Sequence, residues 1–256
     1  MAYIKGSLAV NHLRDIPLLR HIYYSTVISH SQLFQFMTLG HHETRRSIFN
    51  WRLRRLVDHG LVNRHCVSSI SGDYLYTIAS SGIACLERHG DFYLSVSALP
   101  QSELQALHLL HYLELNEIHL AFLRSQVLSN WIPESRLLSL INLGASPYVK
   151  AYDAVVEVIL QEQQFRFALE YEHNQKSMKR YLEIREAIEA EQNISLVLYL
   201  MPSSSLMAKV AQYLSGCKRP IYCGLVDEFK EALLDTRVSN DGRIHLRTLR
   251  DALVQP

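Results

Sequence analysis

The stretch from Tyr152 to Tyr181, YDAVVEVILQEQQFRFALEYEHNQKSMKRY, admits few folds. Val155, Val156, Val158, Ile159 and Leu160 form one apolar run, Phe165, Phe167, Ala168 and Leu169 another, and polar Gln161 to Gln164 separate them. β-Branched and aromatic runs of this length, bounded by polar residues, predict two strands joined as a hairpin. Asp153 starts the first predicted strand. Glu170 and Glu172 leave the second on one face, because side chains two apart on a strand point the same way. The carboxylates then converge where a helix begins. Such a group suits a hard divalent cation such as Mg²⁺, which orients a phosphodiester and activates a water. An ordinary strand-to-helix junction is the plainer reading of the same residues.

The 256 residues, 48% of them hydrophobic and 20% charged, suffice for two modest domains with real cores. A formal net charge of +1 means that any affinity for nucleic acid must come from arginines concentrated locally. Cys66, Cys85, Cys217 and Cys223 lack zinc-knuckle or redox spacing and read as reduced core thiols. No signal peptide or bilayer-length apolar run is evident, so a cytoplasmic protein without a membrane partner is expected.

In the N-terminal third, Ile16 to Tyr24 has helical spacing, and Ser31 to Met37 predicts a second helix with Ser31 as its N-cap. A third helix is expected from about Glu43 to His59, with Ile48, Leu53, Leu56 and Val57 buried and Gly60 as its left-handed cap. Leu61 to Val67 and Tyr74 to Ile78 flank a turn containing Gly72 and Asp73, which predicts a hairpin. A helix over Ser81 to Arg88 follows. LRRLVDHGLV followed by YLYTIASSG resembles the winged helix-turn-helix family, and that resemblance implies duplex DNA as partner.

The third helix and its surroundings carry Arg45, Arg46, Arg52, Arg54, Arg55 and Arg64 against Glu43 and Asp58, a local excess of four positive charges. In a major groove, Arg45, Arg46 and Asn50 would meet base edges or phosphates, Arg54 and Arg55 the backbone, with His41, His42 and Thr44 assisting. The plainer reading is a solvated helix face used for protein contacts. The wing tip from Ser68 to Asp73 has no Lys or Arg, so it offers little for a minor-groove contact.

Asp91 to Leu104 lacks periodicity and contains Pro100 and then Ser102, a predicted N-cap, which places the join between domains 1–95 and 101–256. Glu103 to Ser125 predicts a long helix, apolar on more than one face. Its His108, His111 and His119 lack acidic or cysteine partners at metal-motif spacing and read as core or interface histidines. Glu114 or Glu117 would be the third acidic ligand of a metal site. Leu137 to Leu143, ended by Gly144, reads as a strand.

HYLELNEIHLAFL, WIPE, YDAVVEV and FALEYEHNQKSMKRYLEI together resemble the replication-relaxation family of plasmid and mobile-element proteins, over most of the chain. The resemblance implies an α+β protein: a winged helix-turn-helix followed by an α/β, restriction-endonuclease-like PD-(D/E)xK domain with a mixed sheet. Carried onto this chain, the motif aspartate falls on Asp153 and the next acidic residue on Glu170. The motif lysine is replaced by Glu172, and Tyr152 stands where proline is usual. Lysine helps to position or deprotonate the attacking water, a role that Glu172 does not fill in the same way. Lys176 or Lys179 on the next helix would have to supply that cation.

Further on, Gln175 to Glu191 predicts a helix with Met178, Leu182, Ile184 and Ile188 on its inner side, then a strand over Ile194 to Leu200. Ser203 to Ser205 cap a helix over Leu206 to Leu214, Gly216 ends it, and Ile221 to Val226 form another strand. A helix over Phe229 to Leu234, a turn at Asn240 to Gly242 and a short strand over Ile244 to Leu246 are expected last. Arg243, Arg247 and Arg250 there read as a solvated edge. The leading expectation is a duplex-DNA-binding regulator of transcription or replication in a mobile element, needing no cofactor and dimerising through a catalytically silent nuclease-like domain. A Mg²⁺-dependent endonuclease using Asp153, Glu170, Glu114 or Glu117, and Lys176 is the alternative. A winged helix that docks only proteins is a third.

Overall fold

The computed structural model describes residues 9–67, 73–91, 106–240 and 247–254. The chain divides into two compact units, Met1–Leu113 and Glu114–Pro256. The expected wing tip apart from Asp73, the Pro100–Ser102 join, the His108 side chain, the turn at Asn240 to Gly242 beyond Asn240, Arg243 and the strand over Ile244 to Leu246 lie outside the described residues.

The first unit runs α1 (Asp15–Ser25), β1 (Ile28–Ser29), α2 (His30–Leu39), α3 (Arg46–Asp58), β2 (Val62–His65), β3 (Leu75–Ile78) and α4 (Ser80–Arg88). Its three strands are antiparallel in the order β1-β3-β2. The N-cap of α2 is Ser29, two residues before the expected Ser31. Ser29-His30-Ser31-Gln32 is a capping box: Ser29 Oγ accepts the Gln32 N–H, and Gln32 Oε1 accepts the Ser29 N–H. Ser31 instead donates its N–H and Oγ–H to Asp73 Oδ2, tying the start of α2 to the residue that leads into β3. Two-residue β1 carries no periodic signal and was not expected.

Helix α3 starts later than Glu43 and ends as expected, with Gly60 at φ +69°. Its buried stripe is Phe49, Arg52, Leu53 and Leu56, the i, i+3, i+4, i+7 face of a helix. Ile48 and Val57, expected inside, are half-buried at its borders. Gly82 on α4 permits a close approach, since a Cβ there would lie 2.2 Å from the Leu61 carbonyl oxygen.

The division between units falls within α5 (Ala106–Ser125), later in the chain than the expected join. Leu109 on its early part packs with Val27 and Leu75, and Gln32 Nε2 donates to the Leu113 carbonyl at 2.8 Å, so this portion completes the first core.

The second unit continues with β4 (Leu128–Pro133), α6 (Glu134–Asn142), β5 (Ala154–Leu160), β6 (Gln163–Tyr171), α7 (Met178–Ala190), β7 (Val197–Met201), α8 (Ser204–Leu214), β8 (Ile221–Leu225), α9 (Val226–Ala232), a 3₁₀ turn (Leu233–Asp235), β9 (Arg237–Asn240), β10 (Arg247–Thr248) and α10 (Leu249–Val254). Seven strands form a mixed sheet in the order β10-β9-β8-β7-β6-β5-β4. β4, β5 and β6 form an antiparallel meander, β6, β7 and β8 are parallel, and β9 and β10 are antiparallel. The β5–β6 turn needs only Gln161 and Glu162, both at positive φ (48° and 68°), so the four-residue turn expected there is two residues shorter.

Leu137 to Leu143 is not a strand. Leu137, Leu138, Leu140 and Ile141 belong to α6, which Glu134 opens and Leu143 caps, and the strand of this region is the preceding LSNWIP, where Trp131 faces Val156 and Ile132 faces Val155. A short apolar run does not by itself distinguish strand from helix. On α7 the inner residues are Tyr181, Ile184 and Ile188, while Met178 and Leu182, expected inside, are exposed.

Alternation along the strands sends Ala154, Val156, Phe167, Leu169 and Leu198 to one core with Ile118 and Phe122 of α5. It sends Val155, Ala168, Val197 and Tyr199 to the other with α7 and α8. Cys85 and Cys223 are buried as expected, whereas Cys66 is exposed and Cys217 half-buried. Among the described residues no helix is long and apolar enough to cross a membrane.

Candidate functional site

In the first unit the arginines of α3 separate by face. Asp15 is fully buried at the start of α1 and accepts Arg52 Nη1 at 2.8 Å and Arg55 Nη2 at 2.6 Å, together with the Asn11 N–H at 2.8 Å. Arg52 and Arg55 thus lock α3 onto α1. Arg55, expected on a DNA backbone, belongs to this clamp; a buried carboxylate attracts whichever cations the helix turns inward. Glu43 is buried too and accepts Arg14 Nη1 and the Arg45 N–H, each at 3.2 Å.

The outer face keeps Arg46, Asn50 and Arg54, spaced i, i+4, i+8, with Arg45 at the N-cap and Thr44 just before it. All five are exposed, and His42 is half-buried. Arg46 lies over the Phe34 ring at 5.1 Å. Between this face and the β2–β3 strands lies a groove of about 390 Å³, lined by His30, Arg46, Asn50, Arg54, Arg64 and Tyr74 among others. Arg64 stacks on Tyr74 at 4.9 Å along it. With Arg52, Arg55 and Glu43 turned inward, Arg45, Arg46, Arg54 and Arg64 against Asp58 and Asp73 leave a local excess of two positive charges on this face. The shape suits a polyanion laid along α3, with arginine for phosphates and an amide for base edges.

In the second unit the structure brings Asp153 and Glu170 together at one end of β5 and β6. Glu170 faces Tyr199 across the parallel β6–β7 pair. Burial pushes the Glu170 carboxyl up, Lys150 pulls it down, Asp153 pushes it up again, and the net is a raised value. Lys150 binds Glu170 directly and lies over the Tyr152 ring at 4.5 Å. Lys176 binds Glu172 at 2.5 Å, and Asp153 Oδ2 accepts the Tyr171 N–H at 2.7 Å. Sequence reading passed over Lys150: it lies in the irregular segment before β5, and only the fold carries it back onto Glu170. Tyr199 is fully buried, its hydroxyl has no hydrogen-bond partner among the described residues, and burial beside Glu170 and Glu172 pushes that phenol well up.

The expected helix-borne acids do not join this pair as a ligand set. Glu114 is held by Lys230 of α9 at 2.5 Å, on a helix that covers the other core, and Glu117 is half-buried on the same helix. His119 stacks on Trp131 at 4.2 Å, a packing role. Among the described residues no three His, Cys, Asp or Glu side chains are arranged to hold a metal ion. Lysine ammonium groups occupy the cation positions beside Glu170 and Glu172, so Mg²⁺ does not fit without displacing them. Comparison of the chain with protein-family models, curated proteins and solved structures finds no match.

Proposed function

We propose that the protein is a sequence-specific duplex-DNA-binding regulator of transcription or replication in a plasmid, phage or other mobile element. The observation that carries this reading is the exposed Arg46–Asn50–Arg54 face of α3, beside a groove walled by a β-hairpin. The helix–strand–helix–helix–strand–strand order supports a winged helix-turn-helix, in which such a helix enters the major groove. Arg46 and Arg54 meet phosphates or bases, Asn50 meets a base, and Arg45 and Thr44 hold the backbone at the helix start. The α5-β4-α6-β5-β6-α7-β7 order, three antiparallel strands with a parallel fourth and α6 inserted between the first two, supports a restriction-endonuclease-like second unit, in keeping with the replication-relaxation resemblance. Lysines neutralise Glu170 and Glu172, so the unit serves as a scaffold for dimerisation, and two half-sites then add their energies.

Fluorescence anisotropy of full-length protein on random-sequence duplex tests this. Wild type should bind in a salt-dependent manner, and the Arg46→Ala, Arg54→Ala double variant about tenfold or more weaker. Unchanged binding removes α3 from the interface. Incubation with supercoiled plasmid and Mn²⁺ tests the endonuclease reading: cleavage that Asp153→Ala abolishes replaces the regulator reading.

A further inference from the structure

A chain of three side chains crosses the first unit from the sheet to the reading face of α3. Tyr76 on β3 lies with its hydroxyl 3.2 Å from His30 Nδ1, and His30 Nε2 lies 3.0 Å from Asn50 Oδ1. An amide oxygen only accepts, so Nε2 carries the proton, Nδ1 is the acceptor, and the Tyr76 hydroxyl donates to it. The imidazole is neutral in this arrangement, and burial lowers its affinity for a second proton. His30 is fixed besides by its own N–H donating to the Tyr74 carbonyl at 2.9 Å and by edge contact with the Phe49 ring at 5.1 Å.

We propose that His30 is a positioning residue that sets which base Asn50 reads. The proposal rests on α3 being the DNA-reading helix. The oxygen and nitrogen of a primary amide diverge by about 120°, so an Asn50 oxygen directed at His30 turns its NH₂ away from that contact. A free asparagine pairs with adenine through both ends, accepting from N6 and donating to N7. With one lone pair of its oxygen taken by His30 and the oxygen held toward that contact, Asn50 presents its NH₂ to the groove, and its best partner is an acceptor edge, the O6 and N7 of guanine. Tyr76 acts one step further back: by occupying Nδ1 it keeps the proton on Nε2.

The test uses full-length protein and a randomised duplex library, followed by anisotropy on the selected duplex and on a scrambled duplex of equal composition. Wild type should enrich a motif with guanine at the Asn50 position. His30→Ala and Tyr76→Phe should lower the selected-to-scrambled affinity ratio about tenfold and about threefold, leaving scrambled binding within about twofold, because phosphate contacts are untouched. His30→Gln, which keeps an N–H donor at similar reach, should restore the ratio. In an Asn50→Ala background, His30→Ala should cost nothing further. Tyr76→Phe and His30→Gln keep the test alive should His30→Ala fail to fold. Equal weakening on both duplexes or additivity with Asn50→Ala overturns the relay and leaves the DNA-binding reading standing, whereas duplex binding without a motif overturns the relay and the sequence specificity together and leaves only non-specific binding. Wild type that retains no duplex at all overturns that reading and the relay together.

Discussion

Replacing Asp15 with Ala should be among the costliest single changes in the first unit. The carboxylate is fully buried and accepts from two guanidinium groups and one backbone N–H. Removing one partner of a buried ion pair costs about 3–5 kcal/mol, because the remaining charge is left without compensation. The Arg55 side chain keeps 23% exposure and regains water, whereas Arg52 at 9% does not. That asymmetry puts the expected loss near the lower end, about 3 kcal/mol. For a unit of this size such a loss lowers the midpoint by roughly 10–20 °C. Thermal unfolding by circular dichroism measures it, and amide hydrogen exchange assigns it to α1 and α3. Arg54→Ala, two residues from Arg52 on the same helix, should cost under about 0.5 kcal/mol, because that side chain is exposed. A loss below about 1 kcal/mol for Asp15→Ala, or equal losses for the two variants, would refute the division of the arginines into clamp and reading face.

In the Arg46→Ala, Arg54→Ala variant the slope of log affinity against log salt should become shallower by about 2, one for each lost phosphate contact. An unchanged slope would mean that neither arginine meets phosphate. His21 is half-buried and stacks on the Phe36 ring, and desolvation lowers its pKa from 6.5 to about 4. Between pH 6.5 and 4 the unfolded chain then binds a proton that the folded chain refuses. Stability is complete above pH 6.5 and falls by about 3 kcal/mol as pH drops to 4. Urea titrations from pH 7.5 to 4.5 should show this decline, and His21→Leu should flatten it. Gly82→Ala would drive a methyl into the Leu61 carbonyl and the Ile78 side chain, costing about 2–4 kcal/mol. A thermal midpoint equal to wild type would show that α4 shifts freely.

Long, strongly patterned segments were legible in the sequence: the 155–160 and 165–169 runs are paired strands, Gly60 ends α3 with positive φ, and Ser203 caps α8. The errors have local causes. LLSLINL is apolar almost throughout, so neither a period of two nor of 3.6 stands out, and the strand beside it hides behind Pro133, which a strand tolerates at its end. Ser29 and Ser31 are both good caps. The choice is made by Gln32, three residues after Ser29, and by Asp73, which claims Ser31 from 42 residues away in sequence. Arg52 and Arg55 read as part of a basic patch because their partner, Asp15, lies on a different helix. Lys150 escaped notice for the same reason, since Glu170 meets it only once β5 and β6 have folded back. Sequence spacing states which residues share a face of one element. It is silent on what a second element places opposite that face.

Lys150 also bears on why the acidic end of β5 and β6 does not easily become a cation site. Its ammonium group is the largest influence holding the Glu170 carboxyl down against burial and Asp153. Lys150→Ala therefore opens the carboxyl pair and at the same moment drives Glu170 toward its protonated form, which binds a metal poorly. The sign of the pH effect follows. A buried carboxyl with a raised pKa contributes most to folding at low pH and loses that contribution as pH rises through the raised value. The deficit of Lys150→Ala should thus be largest near pH 7.5, about 1–3 kcal/mol, and shrink toward pH 5. Lys176→Ala, whose lysine side chain is 39% exposed against 19% for Lys150, should lose under about 1 kcal/mol with little dependence on pH. Urea denaturation of both variants at the two pH values checks this. A Lys150→Ala deficit that grows on acidification would mean that Glu170 is not its buried partner, and the acidic pair would then have to be regarded as open to a cation.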